Sequence, residues 1–163
     1  LTSAARPSTD IHHIHIRDMF ENGMRLVTDF TGIGFDYMNY LEFDHILIEN
    51  CGANGALAAL NTREGHSRAA LEMASRAIYD NHHVRMNDVI IRNSTWAAIS
   101  FLGGSRKFHD IEFSNIIIDG WKTWGIYSSE AKGSVSFKNL VFMNGSDETQ
   151  MNPIPEGFAI DVE

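Results

Sequence analysis

The stretch Phe43-Asp44-His45-Ile46-Leu47-Ile48-Glu49-Asn50 decides how this chain folds, because it returns. Its copies are Met86-Asn87-Asp88-Val89-Ile90-Ile91-Arg92-Asn93, Phe113-Ser114-Asn115-Ile116-Ile117-Ile118-Asp119-Gly120 and Phe137-Lys138-Asn139-Leu140-Val141-Phe142-Met143-Asn144. A copy one residue shorter is Ile16-Arg17-Asp18-Met19-Phe20-Glu21-Asn22. The shared pattern is apolar, any, Asp/Asn/His, three apolar, any, Asn/Gly. The closing position falls at 22, 50, 93, 120 and 144, at separations of 28, 43, 27 and 24 residues. Repeats at about 20–50 residues signal stacked architectures.

Each copy is rich in Ile, Val and Phe, which favours strand over helix. After each closing Asn or Gly comes a short turn and a second strand-like piece. These pieces are Met24 to Asp29, Ala56 to Asn61, Trp96 to Phe101, Trp124 to Ser128 and Phe158 to Val162. No helix separates the two pieces as a βαβ crossover requires. One unit is therefore one coil of a parallel β-helix, in which like positions stack into ladders. Asn tolerates φ > 0 at a tight turn, and Gly120, the remaining residue at this position, tolerates it as well.

Two ladders carry the expectation: Asn22, Asn50, Asn93 and Asn144, and a second polar set of Asp18, His45, Asp88 and Asn139. With the coil length, they resemble the right-handed parallel β-helix superfamily, the pectin-lyase-like fold, over about residues 10–163. The expected fold class is all-β, a right-handed parallel β-helix of about five coils with one short helical insertion near residues 66–79. The chain reads as a single β-helix domain or a segment of a longer one, with residues 1–9 an extended lead-in and residues 61–80 the insertion. There Ser67 can cap a helix, Ala69 to Ile78 are good helix formers, and Leu71, Ala74 and Ile78 share a helical face.

Composition narrows the partners. The 163 residues carry a net charge of −8 and a pI near 5.4, which argues against nucleic acid and an anionic membrane as main partners. No apolar run reaches the length of a membrane span. Cys51 is the one cysteine, so no internal disulfide forms; beside Asn50 at a turn it reads as a small buried filler. The chain starts without Met and without a signal-peptide pattern, and neither end shows a capping helix. The expectation is a processed chain, or one that meets further coils of the same or another chain.

Stacked folds place insertions on one face, often the binding face. Residues 30–40 and 61–80 are long irregular stretches, whereas the loops at Gly103-Gly104 and Glu130–Gly133 are short. Such a layout gives walls beside a groove suited to an extended polymer. Hydrolysis of a glycosidic bond needs two carboxylates, about 5 Å apart for retention and about 6.5–9.5 Å for inversion. Asp29, Asp36 and Asp80 border the long loops and are the expected catalytic group. With 21 Asp and Glu residues in the chain, each acid taken singly reads more simply as a solvated surface carboxylate.

The expected substrate-binding residues are Tyr37, Arg63, His66, Trp121, Tyr127, Glu130 and Asp161. Tyr127 and Asp161 stand in one outward column with Thr28, Leu60 and Ser100. Trp121 follows Gly120 and offers a flat ring to a sugar face, whereas Trp96 and Trp124 read as corner packing. Asp10-Ile11-His12-His13 and Asp80-Asn81-His82-His83 form matched pairs. Zinc on His12 or His13 with His15 is conceivable, but surface or turn histidines are the simpler reading, and neither metal nor cofactor is expected. No phosphate loop, nucleophile elbow or Cys-rich pattern occurs.

Members of the superfamily are mostly carbohydrate-active, so the resemblance implies an extracellular or secreted protein, in a periplasm or on a cell surface, acting on a polysaccharide or oligosaccharide. The first reading is a glycoside hydrolase, or part of one, using paired carboxylates. The second is a uronate lyase or epimerase using Arg63 or His66, which the acidic balance disfavours. The third is a non-catalytic structural or glycan-binding segment. The paired aspartates of polygalacturonases are absent, since no Asp-Asp dipeptide occurs.

Overall fold

A computed structural model describes residues 9–19, 22–28, 39–52, 69–75, 81–102, 108–129, 131–145, 149–152 and 157–162. The strands are β1 (Thr9–Arg17), β2 (Met24–Thr28), β3 (Asn39–Glu49), β4 (Leu71–Ser75), β5 (Asn81–Ser94), β6 (Ala97–Leu102), β7 (Phe108–Trp121), β8 (Trp124–Ser129), β9 (Gly133–Met143), β10 (Met151–Asn152) and β11 (Phe158–Val162). The fold is all-β. Odd strands form one parallel sheet, ordered β1-β3-β5-β7-β9-β11, and even strands a second, ordered β10-β8-β6-β4-β2. The chain thus visits the two sheets in alternation, and the long repeat copies lie side by side in register.

Within the odd strands, residues with positive φ recur five apart. They are Tyr40, His45 and Asn50 in β3 and just after it, and His83, Asp88 and Asn93 in β5. Asp110, Asn115 and Gly120 follow in β7, then Asn139 and Asn144, with His13 and Asp18 at the start of the chain. Residues 45 and 88 take no part in the register: Leu41–Asp44 pair with Val84–Asn87, and Ile46–Glu49 with Val89–Arg92. Each long strand is therefore two four-residue runs joined through a left-handed residue, the local geometry that Asn, Asp and His accept most readily.

Side chains between these joints alternate in and out. Phe43, Met86, Phe113 and Phe137 make one buried column, and Ile46, Val89, Ile116 and Leu140 another. From the even sheet, Leu71, Met73, Ile99, Phe101 and Ile126 enter the same core. Phe101 meets Phe108, Phe113, Phe137 and Phe158 edge to face, with centroids 5.1–6.0 Å apart. Phe113 and Phe137 stack at 4.7 Å. One aromatic side chain of the second sheet thereby joins three strands of the first.

The structure corrects four expectations. The helix near residues 66–79 is absent at 71–75, where β4 pairs with β2 and β6; no α-helix occurs among the described residues. Ala69 to Ala74 are all buried, so sheet pairing on two sides overrides a modest helix propensity. The second strand of the second unit is β4, while Ala56 to Asn61 lie outside the described residues. In the first unit the ladder position belongs to Asp18, which accepts from Asn50 Nδ2 at 2.9 Å, and not to Asn22; His13 replaces Asp18 in the second ladder. Finally, Phe158–Val162 pairs with β9, so it is a sixth strand of the odd sheet and not the second strand of the fifth unit, which is β10.

Candidate functional site

In β4 the side chains alternate: Leu71 and Met73 enter the core, and Glu72 turns to the other face. Register carries that outward position to Ser100 in β6 and Tyr127 in β8, with Arg25 and Asn152 at the flanking strand positions. Successive members of such a column stand about 4.8 Å apart. Glu72 and Ser100 are fully buried and Tyr127 is half-buried. A carboxylate is costly to bury without hydrogen-bond partners. Asn22 Nδ2 supplies one, lying 3.3 Å from Glu72 Oε2 and 2.7 Å from the Ala69 carbonyl.

Asn22 is held on target by its neighbour. The Gly23 amide donates to the Ala70 carbonyl at 2.9 Å. A Cβ on Gly23 would come within 2.5 Å of Ile48 Cγ2 and 3.1 Å of Cys51 Sγ, so only glycine lets the backbone approach this closely. At the other end of the column, Trp96 meets the Tyr127 ring at 4.9 Å and 61°, and both rings are half-buried. The Trp96 carbonyl accepts from the Thr123 amide at 3.0 Å, which fixes the turn into β8. The outcome is a strip with a buried acid and hydroxyl at its centre and a half-buried aromatic pair beside them.

The sequence-derived residues fall unevenly around this strip. Asp29, Asp36, Asp80, Tyr37, Arg63, His66 and Glu130 lie outside the described residues. In the chain, Asp29 directly follows β2, Asp80 directly precedes β5 and Glu130 directly follows β8. Tyr127 stands in the column with Ser100. Asp161 does not, because β11 belongs to the other sheet. Trp121 is 9% exposed; its Nε1 donates to Thr149 Oγ1 at 2.9 Å, and its ring meets Phe142 at 5.5 Å and packs on Gly145. Little of that ring is open, and Trp96 is the more accessible indole. Glu72 is not singled out in the sequence as a site residue, and Asn22 reads there only as a ladder asparagine. The alternation Leu71-Glu72-Met73 was the available signal, masked by the alanines around it.

The odd sheet carries polar ladders on its outer side. His13 stacks on His45 at 4.8 Å. His45 lies between two carboxylates, with Nδ1 2.7 Å from Asp44 Oδ2 and Nε2 3.3 Å from Asp88 Oδ2. The Asn87 amide, donating to Asp44 Oδ1 at 2.7 Å, and then His45 hold the Asp44 carboxyl below its ordinary value, against partial desolvation. His15 at 2.8 Å, and then Arg92 at 3.3 Å, do the same for Glu49. His15 is thus engaged by Glu49, and His12 Nδ1 lies 2.7 Å from His13 Nδ1. Among the described residues no group of three or more His, Cys, Asp or Glu side chains could hold a metal ion.

No protein family and no curated protein matches this chain. Among solved structures it is similar to a candidate glycosyl hydrolase from Parabacteroides merdae, at 16% identity and a TM-score of 0.42, over 94% of this chain and 75% of that one. A likeness this loose carries no argument about the chemistry of the present chain.

Proposed function

We propose that this chain is a right-handed parallel β-helix that binds and processes an extended polysaccharide along its even sheet, as a glycoside hydrolase or part of one. The observation that carries this reading is the in-register strip of Glu72, Ser100 and Tyr127, edged by the half-exposed Trp96 ring. Of its members Tyr127, with the adjoining Trp96 ring, offers surface to a polymer, while Ser100 and Glu72 are fully buried at successive steps of about 4.8 Å beside them. The aromatic pair offers a flat, partly apolar face of the kind that sugars stack on. Glu72 supplies one carboxylate. Asp29, Asp36 and Asp80 are the candidates for the second, since all three lie on segments that leave β2 or β4. Tyr37 shares the segment between β2 and β3 with Asp29 and Asp36, Glu130 directly follows β8, and Arg63 and His66 lie on the segment that leads into β4; these four would line the glycan. An extracellular, secreted setting accords with such a substrate.

Reducing-sugar release from a panel of polysaccharides tests the reading. Glu72→Gln is expected to lower kcat by about 10²–10⁴-fold, the usual contribution of a positioned acid or base. Trp96→Ala is expected to weaken glycan binding about two- to tenfold, the worth of one aromatic contact, with kcat little changed. An unsaturated-uronate absorbance in place of hydrolysis would assign the chain to the lyases. Full activity in Glu72→Gln would remove Glu72 from the chemistry.

A further inference from the structure

On the odd sheet the outward columns are polar, with one exception. Glu42, Arg85, Glu112 and Ser136 make one polar column, and Asp44, Asn87, Ser114 and Lys138 another. The next outward column is Leu47, Ile90, Ile117 and Val141, four aliphatic side chains in register on adjacent strands, with His15 at its β1 end. All four are half-buried, whereas the inward residues on either side of them are fully buried or nearly so in β3, β5 and β7. A sheet facing water on one side normally alternates apolar-in and polar-out, and an aliphatic stripe at outward positions marks a contact surface.

Beside the stripe runs a column of alternating charge: Arg17, Glu49, Arg92 and Asp119, ending in Met143. The side chains of Arg17 and Arg92 are 70% and 45% exposed, those of Glu49 and Asp119 24% and 27%, and Met143 is 44% exposed. Within the chain, Arg92 already reaches Glu49 at 3.3 Å and Asp119 at 3.7 Å. The order plus, minus, plus, minus has a property that a random column lacks. Turned end for end, it is its own complement.

We propose that this face pairs with a second copy of the chain through a two-fold axis parallel to the strands and centred between β3 and β5. That operation reverses the order of strands while keeping each column opposite itself. Arg17 then faces Asp119 of the other copy, Glu49 faces Arg92, and Leu47 faces Ile90. Each contact occurs twice, as an isologous interface requires. Centring the axis on β5 would oppose Glu49 with Asp119 and Arg92 with itself, so the charges also set the register. The footprint spans four strands, β1 to β7, at about 4.8 Å and about five residues at 3.3 Å each. The total area buried is therefore at or below roughly 1,200 Å², the class of weak, reversible contacts. The candidate glycan strip lies on the other sheet, so pairing here leaves it free.

Sedimentation equilibrium of the 163-residue chain at concentrations up to about 1 mM tests this. A monomer–dimer equilibrium that weakens with added salt is expected. The double variants Arg17→Glu/Arg92→Glu and Glu49→Lys/Asp119→Lys are each expected to be monomeric alone and to form a one-to-one dimer when mixed, a recovery that misfolded variants could not show. Ile90→Lys, on the stripe alone, is expected to lower dimer affinity at least tenfold. A wild-type chain monomeric throughout, or a dimer indifferent to all three variants, would overturn the proposal.

Discussion

Twelve described residues other than glycine have positive φ, and eleven of them are Asn, Asp or His. An L-residue in this region costs about 1–2 kcal/mol, which Asn, Asp and His lower by local hydrogen bonding. Their side chains also bond along the column: Asn93 Nδ2 donates to Asn50 Oδ1 at 3.2 Å, and Asn139 Nδ2 to Asn115 Oδ1 at 2.8 Å. Asn93→Ala is therefore expected to lose about 1–2 kcal/mol, with Asn93→Gly the milder change, as read from urea midpoints. A second residue-scale effect is acid sensitivity. Asp44 and Glu49 have carboxyls held below their ordinary values of 3.8 and 4.5 by Asn87 and His15 respectively, among other partners. Their stabilising contribution is complete above those values and is lost as pH falls through the lower, folded-state ones. The double variant Asp44→Asn/Glu49→Gln should accordingly show a flatter fall in stability below about pH 4.5 than the wild type.

At the scale of the element, β4 decides how the even sheet is built. Its sequence, Leu-Glu-Met-Ala-Ser, lies in a run of alanines that favours a helix in isolation. Pairing on both edges and burial on both faces make it a strand. The odd strands were legible because Ile, Val and Phe repeat in them with a fixed polar position. The even strands were legible only in part: Met24 to Asp29, Trp96 to Phe101 and Trp124 to Ser128 stood out, each within one residue of the strand found, but β4 and the two-residue β10 did not. That blind spot hid Glu72, since the outward position of a strand is meaningless in a segment taken for helix. The even sheet also locks the core. Phe101 is fully buried among four phenylalanine rings, so Phe101→Ala should cost about 3–5 kcal/mol, measured by denaturant unfolding. A change at exposed Met19 should be nearly neutral.

At the scale of the whole molecule, one rule generates the architecture among the described residues: each of five units adds one strand to each parallel sheet, beside its predecessor, and β11 adds a sixth to the odd sheet alone. The repeated Asn and Gly positions announced this stacking, although they misplaced the first unit by one ladder position and assigned the last strand to the wrong sheet. All three expected catalytic acids, Asp29, Asp36 and Asp80, lie outside the described residues, in stretches of sequence that do not repeat. The strip of Glu72, Ser100 and Tyr127 depends entirely on register, because a slip of one residue would turn all three side chains into the core. Cysteine cross-linking reads that register directly. Cα atoms of paired positions on adjacent strands stand within the ~4.4–6.8 Å that a disulfide spans. In a Cys51→Ser background, Ser100→Cys/Tyr127→Cys is expected to oxidise readily to an intrachain disulfide, and Glu72→Cys/Tyr127→Cys, two strands apart, to stay reduced. Oxidation of the second pair and not the first would contradict the parallel register on which the account rests.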